Sequence, residues 1–189
     1  VEDYCAAVAD FIEKAGIPEP VPCGLSIGGA IVLQLLLEHK TRFKAAIIAN
    51  SGARLRVMPL LFETIKKDYQ KYLSTIPAFA ASEKTDSKKL SSLMAASAKC
   101  PPETAYADFT ACDRFNVMEK LSSITTPVLI LTAEDDNLTP PKYGSYLKEH
   151  INNASMANIK DAGHLSPLEQ PEAFNRAVTD FLKQEKLIL

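Results

Sequence analysis

Four things are scarce in this 189-residue chain: surplus positive charge, paired cysteines, long apolar runs and histidine. Lysine plus arginine number 21 against 23 for aspartate plus glutamate, so neither nucleic acid nor an anionic membrane surface is an expected partner. Cys5, Cys23, Cys100 and Cys112 include no CxxC pair, and no zinc-type cluster stands out. Three of the four cysteines fall in segments that read as helix or buried strand, so reduced thiols in a cytoplasmic protein are the expectation. The longest apolar run, Ala30 to Leu37, is interrupted by Gln34 and is too short to span a bilayer. The chain opens Val1-Glu2-Asp3, acidic where a signal peptide carries basic residues. It lacks an initiator methionine, so it is expected to be processed or to be part of something longer. Neither GxGxxG nor GxxxxGK can be threaded through the glycines that follow Pro22, which argues against a phosphate cradle.

What is present has the rhythm of an α/β protein. Tyr4, Val8, Phe11, Ile12 and Ala15 recur at helical spacing, and Gly16 and Pro18 end that helix. A short strand at 20–25 and a helix over 30–38 that is apolar nearly all round follow. Lys44–Ala49 reads as a buried strand, with Asn50-Ser51-Gly52 as its turn. Pro20 and Pro22 each lack an N–H, and residues two apart point to the same edge, so the first strand is expected to pair fully on one side only.

From 53 to 115 no strand pattern appears. Helices are expected at roughly 59–74, 86–98 and 102–112, separated by prolines 59, 77, 101 and 102. Strand character resumes at 127–132 and, more weakly, at 155–160. Thr139 reads as the N-cap of a helix opened by Pro140 and Pro141, and a last helix begins near Pro171. The implied architecture is a parallel sheet flanked by helices. Its core is 1–52 with 116–189, and 53–115 is a helical lid over the carboxyl ends of the strands, where open α/β sheets place ligands.

Gly24-Leu25-Ser26-Ile27-Gly28 is a G-x-S-x-G between strand and helix. Small residues let the chain turn sharply, leaving the serine hydroxyl at a helix N-terminus where negative charge is favoured. Taken alone, the pattern also fits a glycine-rich turn with an incidental serine. Of the three histidines, His39 and His150 sit near helix C-termini, which explains them. His164 instead follows Gly163 in a loop after the last strand. Glu134-Asp135-Asp136 directly follows the best strand, and an aspartate there suits a histidine's partner as well as an ordinary solvated turn. Jointly, Ser, Asp and His each stand just past a predicted strand, an arrangement that chance rarely produces. Cys23 reads as packed rather than reactive.

Three stretches, Cys23–Ala30, Thr126–Pro141 and Asp161–Phe174, together resemble the α/β-hydrolase superfamily, in its lidded small-molecule esterase and lactonase branch, enol-lactonase-like or carboxylesterase-like. The resemblance implies Ser26 as nucleophile and His164 as general base. The acid falls on Asp136, not Asp135, with Ala133 in the place of the family's glycine. Ile27 would give one oxyanion-hole N–H. The first strands of such proteins, and the His-Gly loop that supplies the second N–H, have no counterpart in the chain.

The expected activity is hydrolysis of a small, largely apolar ester, thioester or lactone through an acyl-enzyme, with no cofactor or metal. Phe62, Phe79, Met94 and Phe109 are the expected apolar lining, though packed core is the ordinary use of each. The alternative is a catalytically silent, truncated hydrolase acting as a binding module or dimerising along its open edge.

Overall fold

Two wholly buried runs, the apolar Ala46–Ala49 (β2) and Val128–Ala133 (β3), apolar but for Thr132, form the centre of a four-stranded parallel sheet in the computed structural model, which describes residues 1–189. Cys23–Leu25 (β1) and Ala154–Ile159 (β4) flank them in the order β1-β2-β3-β4. Gly24 sits opposite Ile48, Ile48 opposite Ile130, and Ile130 opposite Met156. As the prolines suggest, β1 pairs on one side, with β2, and lies at the sheet edge.

Alternation along the central strands explains why they are apolar at all positions but Thr132. Ala46, Ile48, Val128 and Ile130 join a 22-residue core with Cys5 and Ile12 of α1 (Glu2–Lys14) and Leu33 and Leu36 of α2 (Ile27–Glu38). Ile47, Ala49, Leu129 and Leu131 point to the other face and meet Phe174 and Phe181 of α9 (Pro171–Gln184). A strand buried on both faces takes a polar residue only where a partner meets it, as the Asn158 Oδ1 meets the Thr132 hydroxyl at 2.8 Å. Helix α7 (Pro141–His150) packs Leu147 into the larger core, and α8 (Ser166–Glu169) is a single turn before α9.

Between β2 and β3 lie α3 (Pro59–Lys67), α4 (Tyr69–Ala80), a 3₁₀ turn at Ser87–Leu90, α5 (Ser91–Ser97) and α6 (Pro102–Arg114). No strand interrupts them, and an isolated antiparallel bridge between Arg54 and Asn116 joins the two ends of the segment.

Four details differ from the expectation, the first being that the stretch over 86–98 is a 3₁₀ turn, Ser87–Leu90, followed by the short α5. The helix over 59–74 is two helices, because Asp68 leaves helical geometry and its carboxylate accepts from the Lys71 N–H at 2.9 Å, starting α4. Pro77 sits inside α4 rather than ending it; so near the C-terminus the ring forfeits one backbone hydrogen bond, and the helix stops three residues later. Cys23 is exposed rather than packed, because β1 is an edge strand. No helix is long and apolar enough to cross a membrane.

Candidate active site

Ser26 joins β1 to α2 with φ 55° and ψ −118°, a backbone conformation that costs a non-glycine residue about 1–3 kcal/mol. It occupies the N-cap position, yet its side chain does not cap the helix. Its carbonyl is held instead, accepting from Gly29 N–H and from the Ser51 hydroxyl at 2.8 Å, while its own N–H donates to Ala49. Ile27 is the first residue of α2, so its N–H is one of those with no acceptor within the helix.

The glycines of the elbow have unequal reasons to be glycine. A Cβ on Gly24 would lie 2.1 Å from the Gly28 carbonyl oxygen, and one on Gly29 would lie 2.5 Å from Ser51 Cβ. A Cβ on Gly28 would meet nothing within 4 Å, so the close approach expected on both sides of the serine occurs at 24 and 29. Gly24→Ala should therefore destabilise the chain by about 3 kcal/mol or more, read from urea midpoints, because the obstacle is backbone and cannot rotate away.

Asp136 and His164 come from the ends of β3 and β4 and meet in the interior. Asp136 Oδ2 and His164 Nδ1 are 3.0 Å apart, with 3% and 6% of each residue exposed. The carboxylate gathers four further donors: the Asn50 amide at 2.8 Å, the Thr139 hydroxyl at 2.7 Å, and the Leu138 and Thr139 N–H groups, both at 2.9 Å. Burial works against its charge, yet the His164 bond and charge, the Thr139 N–H and the Asn50 amide hold its carboxyl below the usual range. With Nδ1 donating to this carboxylate, the lone pair of the neutral imidazole is on Nε2. The buried Asp136–His164 pair and the strained Ser26 stand at the same strand-end rim, with no hydrogen bond joining the Ser26 hydroxyl to His164. Such an arrangement can support acyl transfer once a substrate brings the two together.

A model of the alpha/beta hydrolase family matches residues 1–177. The chain belongs to the alpha/beta hydrolase family. It is 30% identical over 183 residues to 3-oxoadipate enol-lactonase 1 of Acinetobacter baylyi, covering 93% of this chain and 68% of that protein. It is 26% identical over 192 residues to a pimeloyl-[acyl-carrier protein] methyl ester esterase of Neisseria meningitidis, covering 94% of this chain and 75% of that one. A thermophilic esterase of solved structure superposes with a TM-score of 0.87 at 28% identity, over 97% of this chain and 73% of its own. The chain sits on the esterase and lactonase branch of the family.

In this alpha/beta hydrolase the remaining anticipated residues are dispersed through the inserted helices. Phe62 packs edge-on against Tyr106 with ring centroids 5.1 Å apart, and Phe109 against Tyr72 at 6.0 Å. Met94 is half-buried and Phe79 exposed. His39 and His150 stand at the ends of α2 and α7 as anticipated, His150 stacked on Tyr146 with its Nδ1 2.9 Å from that residue's carbonyl. Asp135, the aspartate passed over, accepts from the Ser82 hydroxyl at 2.6 Å and pairs with Lys84. Only Cys5, Glu38 and His39 group as metal ligands could, within 4.8 Å of one another. They lie at the opposite end of α2 from Ser26, about 18 Å away by helix rise, and the Cys5 thiol, pushed up to about 12 by burial and by Glu38, already donates to Glu38. An open groove of about 630 Å³ along β4 and α9 is lined by neither Ser26 nor Asp136 nor His164.

Residue-by-residue reading missed three groups that hold the Asp136–His164 pair. Thr139 is not the N-cap of α7, which is Pro140; its hydroxyl instead serves Asp136 and lies 3.2 Å from His164 Nδ1. Asn50, left-handed at φ 45°, reaches both Asp136 and, at 3.4 Å, the Gly163 carbonyl. The Ser166 hydroxyl fixes Asn50 by donating to its Oδ1 at 2.5 Å. The signal available for Asn50 was its place at the carboxyl end of a buried strand, level with the serine elbow.

Proposed function

We propose that this chain is a serine hydrolase of small, largely apolar carboxylic esters, thioesters or lactones. Ser26 Oγ attacks the carbonyl carbon as its proton passes to His164 Nε2, giving a tetrahedral oxyanion beside the Ile27 N–H. Collapse expels the alcohol or thiol, which takes the proton from the imidazolium, and leaves an acyl group on Ser26. Water, deprotonated by the same histidine, then releases the acid and restores the serine. Asp136 keeps Nδ1 protonated and balances the imidazolium. Every group in the scheme is a side chain or backbone amide, so no cofactor or metal enters it.

The observation that carries this reading is the buried Asp136–His164 hydrogen bond, placed on the same rim as a serine in strained backbone. In the same reading, 53–115 is a lid on a core of 1–52 and 116–189, and Phe62, Phe79, Met94 and Phe109 offer apolar wall to the acyl group. Support for the lid comes from the chain leaving α4, which runs against the histidine loop: Leu165 N–H donates to the Ala80 carbonyl at 3.2 Å. The relatives named for an enol-lactone and a methyl ester support a carboxylic ester or lactone as substrate.

An alkyl fluorophosphonate should label folded protein at one site, Ser26, with loss of p-nitrophenyl ester hydrolysis in step. A folded chain that takes no label would overturn the reading in favour of a silent binding module.

A further inference from the structure

Beyond the residues of that scheme stands a buried carboxylate it does not use. Glu169 is 1% exposed, and no lysine or arginine nitrogen lies within 4.0 Å of its carboxylate. The Lys89 ammonium donates to the Glu169 carbonyl at 2.6 Å, while the carboxylate oxygens themselves are met by N–H and O–H donors. Oε1 accepts the Leu165 N–H at 3.0 Å; Oε2 accepts the Gly163 N–H at 3.0 Å, the Ser82 N–H at 2.8 Å and the Thr85 hydroxyl at 2.6 Å. The first two donors are the backbone amides on either side of His164. The other two belong to the segment that leaves α4. Tightness of this junction shows at Gly163, where a Cβ would stand 2.6 Å from the Ser82 nitrogen.

We propose that Glu169 is a positioning residue for His164, its two oxygens clamping the amides of Gly163 and Leu165 so that the imidazole is aimed between Asp136 and Ser26, and fastening the 82–85 segment to the same loop. The inference rests on the hydrolase reading, since a clamp on His164 matters to rate only if His164 is the base. Chemistry alone explains why a carboxylate fits. Two amides two residues apart on one loop need two acceptors side by side, and an ionised carboxylate has two oxygens and no donor. A glutamine in its place keeps the shape but turns an NH₂ toward at least one of these donors. An aspartate keeps the charge but is one methylene short of spanning both amides. Because the imidazole is displaced rather than removed, the loss should appear in the chemical step; a misplacement of about 1 Å costs on the order of 100-fold.

The test compares Glu169→Gln and Glu169→Asp with the parent chain, using fluorophosphonate labelling of Ser26 and kcat and KM on a p-nitrophenyl ester. Glu172→Gln, an exposed carboxylate on α9, controls for loss of one negative charge. A fall in labelling and kcat of tenfold or more in a folded Glu169 variant, with KM within about threefold and the control unchanged, is the expected result. A smaller fall, or one carried by KM, would overturn the proposal.

Should neither variant fold, hydrogen exchange on the parent chain decides. The Gly163 and Leu165 amides are expected to be protected like those of β3; because Leu165 N–H also reaches the Ala80 carbonyl, Gly163 decides, and its exchange at exposed-loop rates would overturn the clamp. A parent chain that takes no label refutes the hydrolase reading, whereas an unprotected Gly163 amide in a chain that labels refutes the clamp alone.

Discussion

Ser26→Ala is expected to reduce ester hydrolysis about a million-fold and to remove all fluorophosphonate labelling. The size follows from the role: without the hydroxyl there is no acyl-enzyme, and His164 and Asp136 have nothing to activate. The same position makes a second measurement informative. The Ser26 side chain does not cap α2, so deleting the hydroxyl removes no stabilising contact there, while φ 55° remains costly for any residue with a Cβ. Ser26→Gly should thus be as inactive as Ser26→Ala and about 1 kcal/mol more stable, as relief of backbone strain requires. Urea denaturation of the three proteins checks this; a glycine variant less stable than the parent would mean that the strain is not being held for function.

The second large effect belongs to Asp136→Asn, for which kcat should fall about 10,000-fold with the fold retained. Five donors converge on the Asp136 oxygens, and an amide offers only one oxygen to receive them. If its NH₂ replaces Oδ2 it faces His164 Nδ1, which must then accept, placing the ring proton on Nε2 where the base is needed. If it replaces Oδ1 it confronts the Leu138 and Thr139 N–H groups.

The variant should also lose about 1–3 kcal/mol at neutral pH, the scale for leaving a buried donor without its acceptor. Stability should respond to acid in a defined direction. The folded Asp136 carboxyl titrates below its unfolded value, so its contribution is full above the unfolded pKa, about 3.9, and is lost as pH falls through the lower folded value. Urea midpoints measured from pH 7 down to pH 3 should therefore drop more steeply for the parent than for Asp136→Asn. Parallel curves would show that the carboxylate gains no protection from its donors.

Much of this site was legible because its parts are local. Ser26 lies in a five-residue pattern whose glycine at 24 answers a backbone contact four residues away, and such short-range demands leave a mark in sequence. His164 was separable from His39 and His150 because those two sit at helix ends, where an imidazole has a use of its own. The choice between Asp135 and Asp136 was not local. Both follow the same strand; one turns inward to His164 and the other outward to Ser82 and Lys84. Family resemblance selected the inward residue, and composition could not have.

Thr139 shows the opposite failure. A threonine before Pro-Pro is a sound N-cap signal, but a buried carboxylate nearby offered its hydroxyl a stronger partner than the helix N–H groups, two of which proline had already removed at 140 and 141.

By itself the sequence determined the alternation of strands and helices, the two-faced burial of β2 and β3, and the turn that carries Ser26. Those features arise from side-chain period and backbone sterics within a few residues. Only the tertiary structure decided which polar groups meet. Asn50 contacts Asp136 across 86 positions of chain, Ser166 contacts Asn50 across 116, and Glu169 contacts Ser82 across 87. Pairings of that range depend on strand order and on where a segment distant in the chain crosses a loop, and no local propensity encodes either.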